Sequence, residues 1–178
     1  MPLNKNQHGH SISQEYYLSA HFFDNHFFSN NDDKNAEKYY KLSIELNPQH
    51  FYPYNNLFQL YDRSNNLEKL EETFNNILKL FGRGPEVQFL EGTLEFKKKN
   101  YKKTINIFKS LEFDKSDYQK SVLITNILAK CYDYVGSYSE AYKYYSLSNK
   151  IIENTFKNKL DKNRFNDRVS KRLRDIHL

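Results

Sequence analysis

The chain has no tryptophan, one methionine, one cysteine, five glycines and four prolines in 178 residues. Each scarcity excludes something. A single thiol, Cys131, rules out a disulfide within the chain and fits a reducing compartment. No reactive-cysteine motif surrounds it, so it reads as a small buried side chain. No stretch approaches the roughly 20 apolar residues that a membrane span needs. Residues 1–14 lack the apolar core of a signal peptide. A cytoplasmic protein is expected. The one glycine pair, Gly82–Arg83–Gly84, is too short to cradle a phosphate and follows a helical pattern rather than a strand. His8 and His10 lack further ligands, and His21 and His26 stand five apart, not three or four as a helical metal site favours. Nothing places a nucleophile beside a base. Catalytic residues, cofactor-binding residues and metal ligands are all expected to be absent, and the chain is not read as an enzyme.

What the chain has instead is rings. Fifteen tyrosines and fourteen phenylalanines supply the bulk to fill the space between paired helices. Charge is abundant but uneven. Residues 155–178 carry eight Lys/Arg against three Asp, which accounts for the whole net charge of +5. Residues 1–154 balance at nineteen of each sign, so the body has no field to attract nucleic acid.

The rings recur. In a unit read from Tyr17, Ala36, Tyr40 and Pro48 hold places that Leu70, Phe74 and Gly82 hold one 34-residue period later. Gly92, and then Ala129, Gly136, Tyr138, Ala141 and Tyr145, continue the scheme. A period of this length means stacked helix pairs, each burying its apolar face against the next.

Punctuation places the helices. Residues 1–12 lack periodicity and read as a flexible leader. Helices are expected over 13–29, 33–46, 51–63, 66–81, 85–99, 100–111, 117–135 and 138–154. Asn47–Pro48, Gly82–Arg83–Gly84 and Gly136 act as stops and turns. Ser11 with Gln14, Ser116 with Gln119, and Ser137 with Glu140 read as capping pairs. Residues 112–115 lengthen one connection and shift the register by three. A last basic helix is expected over 161–176, where Phe165, Val169, Leu173 and Ile176 form one apolar stripe. No segment alternates like a strand, so the fold is expected to be all-α.

These units resemble the tetratricopeptide repeat. In that family a small residue stands eighth, glycine fifteenth, alanine twentieth, an aromatic twenty-fourth and proline thirty-second. The unit at Tyr17 matches with Phe27, Ala36, Tyr40, Ser43 and Pro48; the unit at Phe51 matches with Leu57, Tyr61, Leu70, Phe74 and Ile77 but has Phe58 in the small eighth place. The unit at Pro85 offers Gly92, Tyr101 and Phe108, and the unit at Val122 is fullest, with Ala129, Tyr132, Gly136, Tyr138, Ala141, Tyr145 and Ser148. The resemblance implies an α-α superhelix of about four hairpins over 13–154, with 155–178 as a basic capping helix or linker. It implies a scaffold that binds a protein or peptide in a concave groove. By the family's register the groove residues would be His21, Phe22, Asn25, Tyr52, Asn55, Asn56, Gln59, Phe89, Thr93, Phe96, Asn126 and Lys130. The subclass that grips chaperone tails uses cations where His21, Glu86 and Leu90 stand here, which argues against that ligand. The run from Ala129 to Ala141, followed by Tyr145 and Ser148–Asn149–Lys150, is similar to the last repeat before the catalytic domain of bacterial tetratricopeptide sulfotransferases. The alternative expectation is therefore the N-terminal segment of such an enzyme. Binding of nucleic acid or an anionic membrane by the basic last segment is the weakest option, since no aromatic platform interleaves with its charges.

Overall fold

The computed structural model describes residues 33–112 and 117–159. Seven helices occupy them: α1 (Asp33–Leu46), α2 (Phe51–Arg63), α3 (Leu67–Phe81), α4 (Pro85–Lys97), α5 (Tyr101–Ser110), α6 (Tyr118–Tyr134) and α7 (Tyr138–Lys159). No strand occurs among the described residues. The expected helices at 13–29 and 161–176, and the leader 1–12, lie outside them. The chain divides into two compact units, residues 1–99 and 100–178.

In the first unit each helix packs on the next in sequence, and α2 also touches α4. Local chemistry sets the boundaries. Pro48 ends the run after α1, since proline offers no N–H and its predecessor avoids helical angles. Asn66 caps α3, its side-chain oxygen accepting from the Lys69 amide at 3.2 Å. Pro85 opens α4, where its missing N–H costs nothing. The core joins Ala36 and Tyr40 of α1, Tyr54, Leu57, Phe58 and Tyr61 of α2, Leu70, Phe74 and Ile77 of α3, and Val87, Leu90 and Leu94 of α4. Phe81 meets Phe51 and Tyr54 edge-on, at centroid distances of 5.3 and 5.5 Å, the arrangement that ring quadrupoles favour. The expected small eighth residue is replaced by Phe58, which is among the most deeply buried side chains.

In the second unit α5 packs on α6, and α6 forms a long hairpin with α7. Ala129 and Cys131 of α6 and Thr104 of α5 are completely buried. Tyr132 stacks on Tyr144 of α7, and Tyr134 stacks on Tyr101 of α5 with centroids 4.4 Å apart. Two boundary expectations are corrected here. The cap of α6 is Asp117, whose carboxylate accepts from the Lys120 amide at 3.0 Å, rather than Ser116. Helix α7 runs to Lys159 instead of stopping near Asn154, because no glycine or proline comes after Gly136 to break it.

Three of the turns between successive helices share one conformation. Asn65, Lys99 and Gly136 have φ of 53°, 62° and 76°, and all three hold the fifteenth place of their units. Asn66 and Ser137 each donate their amide five residues back, to the carbonyls of Tyr61 and Tyr132. This is the Schellman closure, which satisfies carbonyls left over at a helix end.

Candidate functional site

Helix α2 has two faces. Tyr54, Leu57, Phe58, Leu60 and Tyr61 are turned into the core. Tyr52, Asn55, Asn56 and Gln59 recur at intervals of three or four and share the other face. Tyr52 is 56 % exposed, Gln59 is exposed, and the two asparagines are half-buried. The phenol ring of Tyr52 is framed by His50 and Phe51, with centroids 5.6 and 6.4 Å away.

The neighbouring helix α4 contributes Phe89, Thr93 and Phe96, also on one face. They are less accessible than the α2 residues. Phe89 is partly buried against the core of the unit. Thr93 is only 9 % exposed, and its hydroxyl donates to the Phe89 carbonyl at 3.0 Å. Thr93 therefore offers a methyl group rather than a hydroxyl to anything on this face.

Lysines hold α4 to its neighbours. The Lys97 ammonium donates to the Asp62 carbonyl (2.9 Å) and the Asn65 side-chain oxygen (3.0 Å), and pairs with the Asp62 carboxylate at 3.1 Å. Lys98 reaches Glu71 of α3 at 2.7 Å. That hydrogen bond to the carboxylate raises the Lys98 pKa above its ordinary value. A face spread over two helices needs such fixation to present a constant spacing. In the second unit, α6 places Asn126 half-buried and Lys130 exposed. His21, Phe22 and Asn25 lie outside the described residues.

One cluster has no counterpart in the sequence-based site. Between α1, α2 and α3 lies a shallow cleft lined by Lys41, Ile44, Tyr54, Leu57, Tyr61, Lys69, Glu72, Thr73 and Asn76. Beside it, the Glu37 carboxylate accepts from Lys41 at 2.8 Å and from Lys69 at 2.9 Å. Burial alone would raise the Glu37 pKa, but hydrogen bonds from Lys41, Lys69 and Tyr61 outweigh it and hold the group at about 2. The partners Glu37 and Lys69 are 32 residues apart, and only the four-residue spacing of Glu37 and Lys41 could have signalled the cluster.

Cys131 is fully buried. Burial pushes its thiol up to about 11, against a smaller opposing effect of a hydrogen bond with Thr104. Among the described residues no group of three or more His, Cys, Asp or Glu side chains could hold a metal ion. No described helix is long and apolar enough to cross a membrane.

The family model described as Iml2/Tetratricopeptide repeat protein 39 matches residues 38–153. No curated protein matches the chain. Among solved structures, it is similar to the one titled "Functional Characterization of Pseudomonas Aeruginosa pilF", with a TM-score of 0.64 and 13 % identity. The likeness covers 83 % of this chain and 64 % of that chain; at such identity it concerns the fold alone.

Proposed function

Because the chain belongs to the Iml2/Tetratricopeptide repeat protein 39 family, we propose that it is a non-catalytic scaffold that binds a protein partner through an extended peptide segment. The observation that supports this most is the α2 face, where an exposed ring at Tyr52 stands beside three amide side chains. Amides both donate and accept, so they suit the backbone of an extended peptide. Rings supply buried area at small entropic cost and are the usual anchors of an interface. Phe89 and Phe96 on α4 extend the apolar part of the face. Asn126 and Lys130 belong to the same reading in the second unit, as do His21 and Asn25 beyond the described residues. A lone buried thiol is compatible with work in the cytoplasm.

A library of random peptides displayed on phage and selected against the full chain tests the reading. Selected peptides should lose about tenfold or more in affinity for Tyr52→Ala and Asn56→Ala, the cost of truncating an interface anchor. Helical circular dichroism should stay constant, and Lys79→Ala, at an exposed position of α3, should bind normally. Peptides that bind all three variants equally would place the site elsewhere.

The second reading, the N-terminal segment of a sulfotransferase, rests on the run from Ala129 to Lys150. It predicts that the natural polypeptide carries sulfuryl-transfer activity in a region beyond this chain. An intact mass near 21 kDa for the native protein, equal to that of this chain, would dismiss it.

A further inference from the structure

One place recurs at the junctions between units and is filled in three different ways. In the repeat register, the seventeenth residue of a unit opens its second helix, and the thirteenth residue of the next unit closes that unit's first helix. The corresponding pairs are Asp33 with Arg63, Leu67 with Lys97, and Tyr101 with Tyr134. In the first pair, the Arg63 guanidinium donates to the Asp33 carboxylate. In the second, Lys97 turns instead to Asp62 and Asn65. In the third, two phenol rings lie face to face, with centroids 4.4 Å apart and planes 9° from parallel. Tyr101 is half-buried at the start of α5, whereas Tyr134 at the end of α6 is 63 % exposed. A second phenol stack among the described residues, Tyr132 on Tyr144, is wider at 5.4 Å, and both of its rings are half-buried.

We propose that Tyr101 and Tyr134 form a modification site, where oxidation joins the two rings into a dityrosine and fixes α5 on α6. Three observations support it. Parallel rings at this separation are in van der Waals contact, so two radicals formed there meet without diffusion. The exposure of Tyr134 gives an oxidant access and leaves the ring room to swing from face to edge. The chain's one thiol, Cys131, cannot form a disulfide within the molecule, and a carbon–carbon link also survives the thiols that keep cysteines reduced. The oxidant is of the peroxidase class, an oxidised haem acting with hydrogen peroxide. It takes one electron from each phenol, and each phenol releases its hydroxyl proton. Unpaired spin in a phenoxyl ring lies partly on the carbons beside the one that bears oxygen, and a bond forms between one such carbon of each ring. The hydrogen on each of those carbons moves as a proton to the phenolic oxygen, which restores both phenols. Two electrons and two protons leave in all, and hydrogen peroxide takes them up as two waters. Neither ring belongs to the proposed peptide face.

Treatment of the dilute full chain with a peroxidase and limiting hydrogen peroxide provides the test. Monomers should gain dityrosine fluorescence and lose two hydrogen atoms from their intact mass. Proteolysis should then release one main linked species, which joins the peptide carrying Tyr101 to the peptide carrying Tyr134. The monomer yield should fall about tenfold or more in Tyr101→Phe and in Tyr134→Phe, which keep the ring but cannot form the phenoxyl, and stay at the parental level in Tyr144→Phe. Unchanged helical circular dichroism keeps the comparison among folded proteins, and oxidation of Met1 or Cys131, which adds oxygen, is separated by mass. The linked monomer should also melt at a higher temperature than the unlinked one, because the link constrains the unfolded chain. Equal monomer yields in Tyr134→Phe and the parent would overturn the proposal. So would a main linked species that lacks either tyrosine, or dityrosine confined to dimers.

Discussion

Lys99 stands one 34-residue period after Asn65 and repeats its backbone conformation, with φ of 62° against 53°. The third member of the series, Gly136, is the only glycine among them. A side chain in this region meets its own carbonyl at a cost of roughly 1–2 kcal/mol, less for asparagine and none for glycine. Lys99→Gly should therefore stabilise the protein by up to about 1 kcal/mol once the entropy of the more flexible unfolded chain is subtracted. Asn65→Gly should give less, and Asn65 also accepts from Lys97, so a net gain there is not expected. Urea midpoints at unchanged slope measure both.

Glu37 gives the fold a defined acid response. Its folded pKa of about 2 lies below the ordinary 4.5, so its contribution is complete above about pH 5 and is lost as pH falls toward 2. Because the carboxylate is partly solvated, about 1–2 kcal/mol is a reasonable size for the effect. Glu37→Gln should be less stable than the parent at pH 7 by that amount and equal to it near pH 2. A constant difference across the range would show that the ion cluster contributes nothing.

Ser148 is 1 % exposed, and its hydroxyl has no hydrogen-bond partner among the described residues. A buried hydroxyl without a partner carries its desolvation cost uncompensated. Ser148→Ala should stabilise by up to about 1 kcal/mol, since it removes that cost at almost constant volume. Thermal melts of the two proteins side by side would detect it, and a lowered melting temperature would mean the hydroxyl is satisfied in solution.

Cys131 should resist alkylation in the native protein. A thiol pushed to about 11 and fully buried offers almost no thiolate at neutral pH. Labelling with iodoacetamide should track unfolding of the second unit in denaturant. Rapid labelling without denaturant would place the thiol at the surface.

Phe58 departs from the small residue expected in its place, yet it is 1 % exposed. Phe58→Ala should cost about 3–5 kcal/mol through the cavity it leaves. The reverse substitution at the equivalent place, Ala129→Phe, should disrupt the α6–α7 hairpin, since Ala129 is fully buried. The same place in two units thus tolerates opposite volumes, and chemical denaturation of each variant would show it.

The helices from α1 to α7 were legible in the sequence because local chemistry marks them: Pro48 and the Gly82–Gly84 pair stop them, and rings at a fixed period show which side is buried. The candidate peptide face was legible only in part. Spacing put Tyr52, Asn55, Asn56 and Gln59 on one side of α2, whereas spacing alone could not show that Thr93 would turn its hydroxyl back to its own helix. The capping residue of α6 stands one position from the expected one because Ser116 and Asp117 are both good acceptors, and only geometry chooses between them.

By itself, then, the sequence determined what depends on neighbours along the chain: helix type, helix ends and the repeating order of hairpins. Tertiary structure decided what depends on residues far apart in sequence. It made Glu37 a bridge to Lys69, gave Lys99 the conformation of a glycine, and stacked Tyr134 on Tyr101. Those outcomes are energies of burial and pairing between separate helices, which no single segment contains.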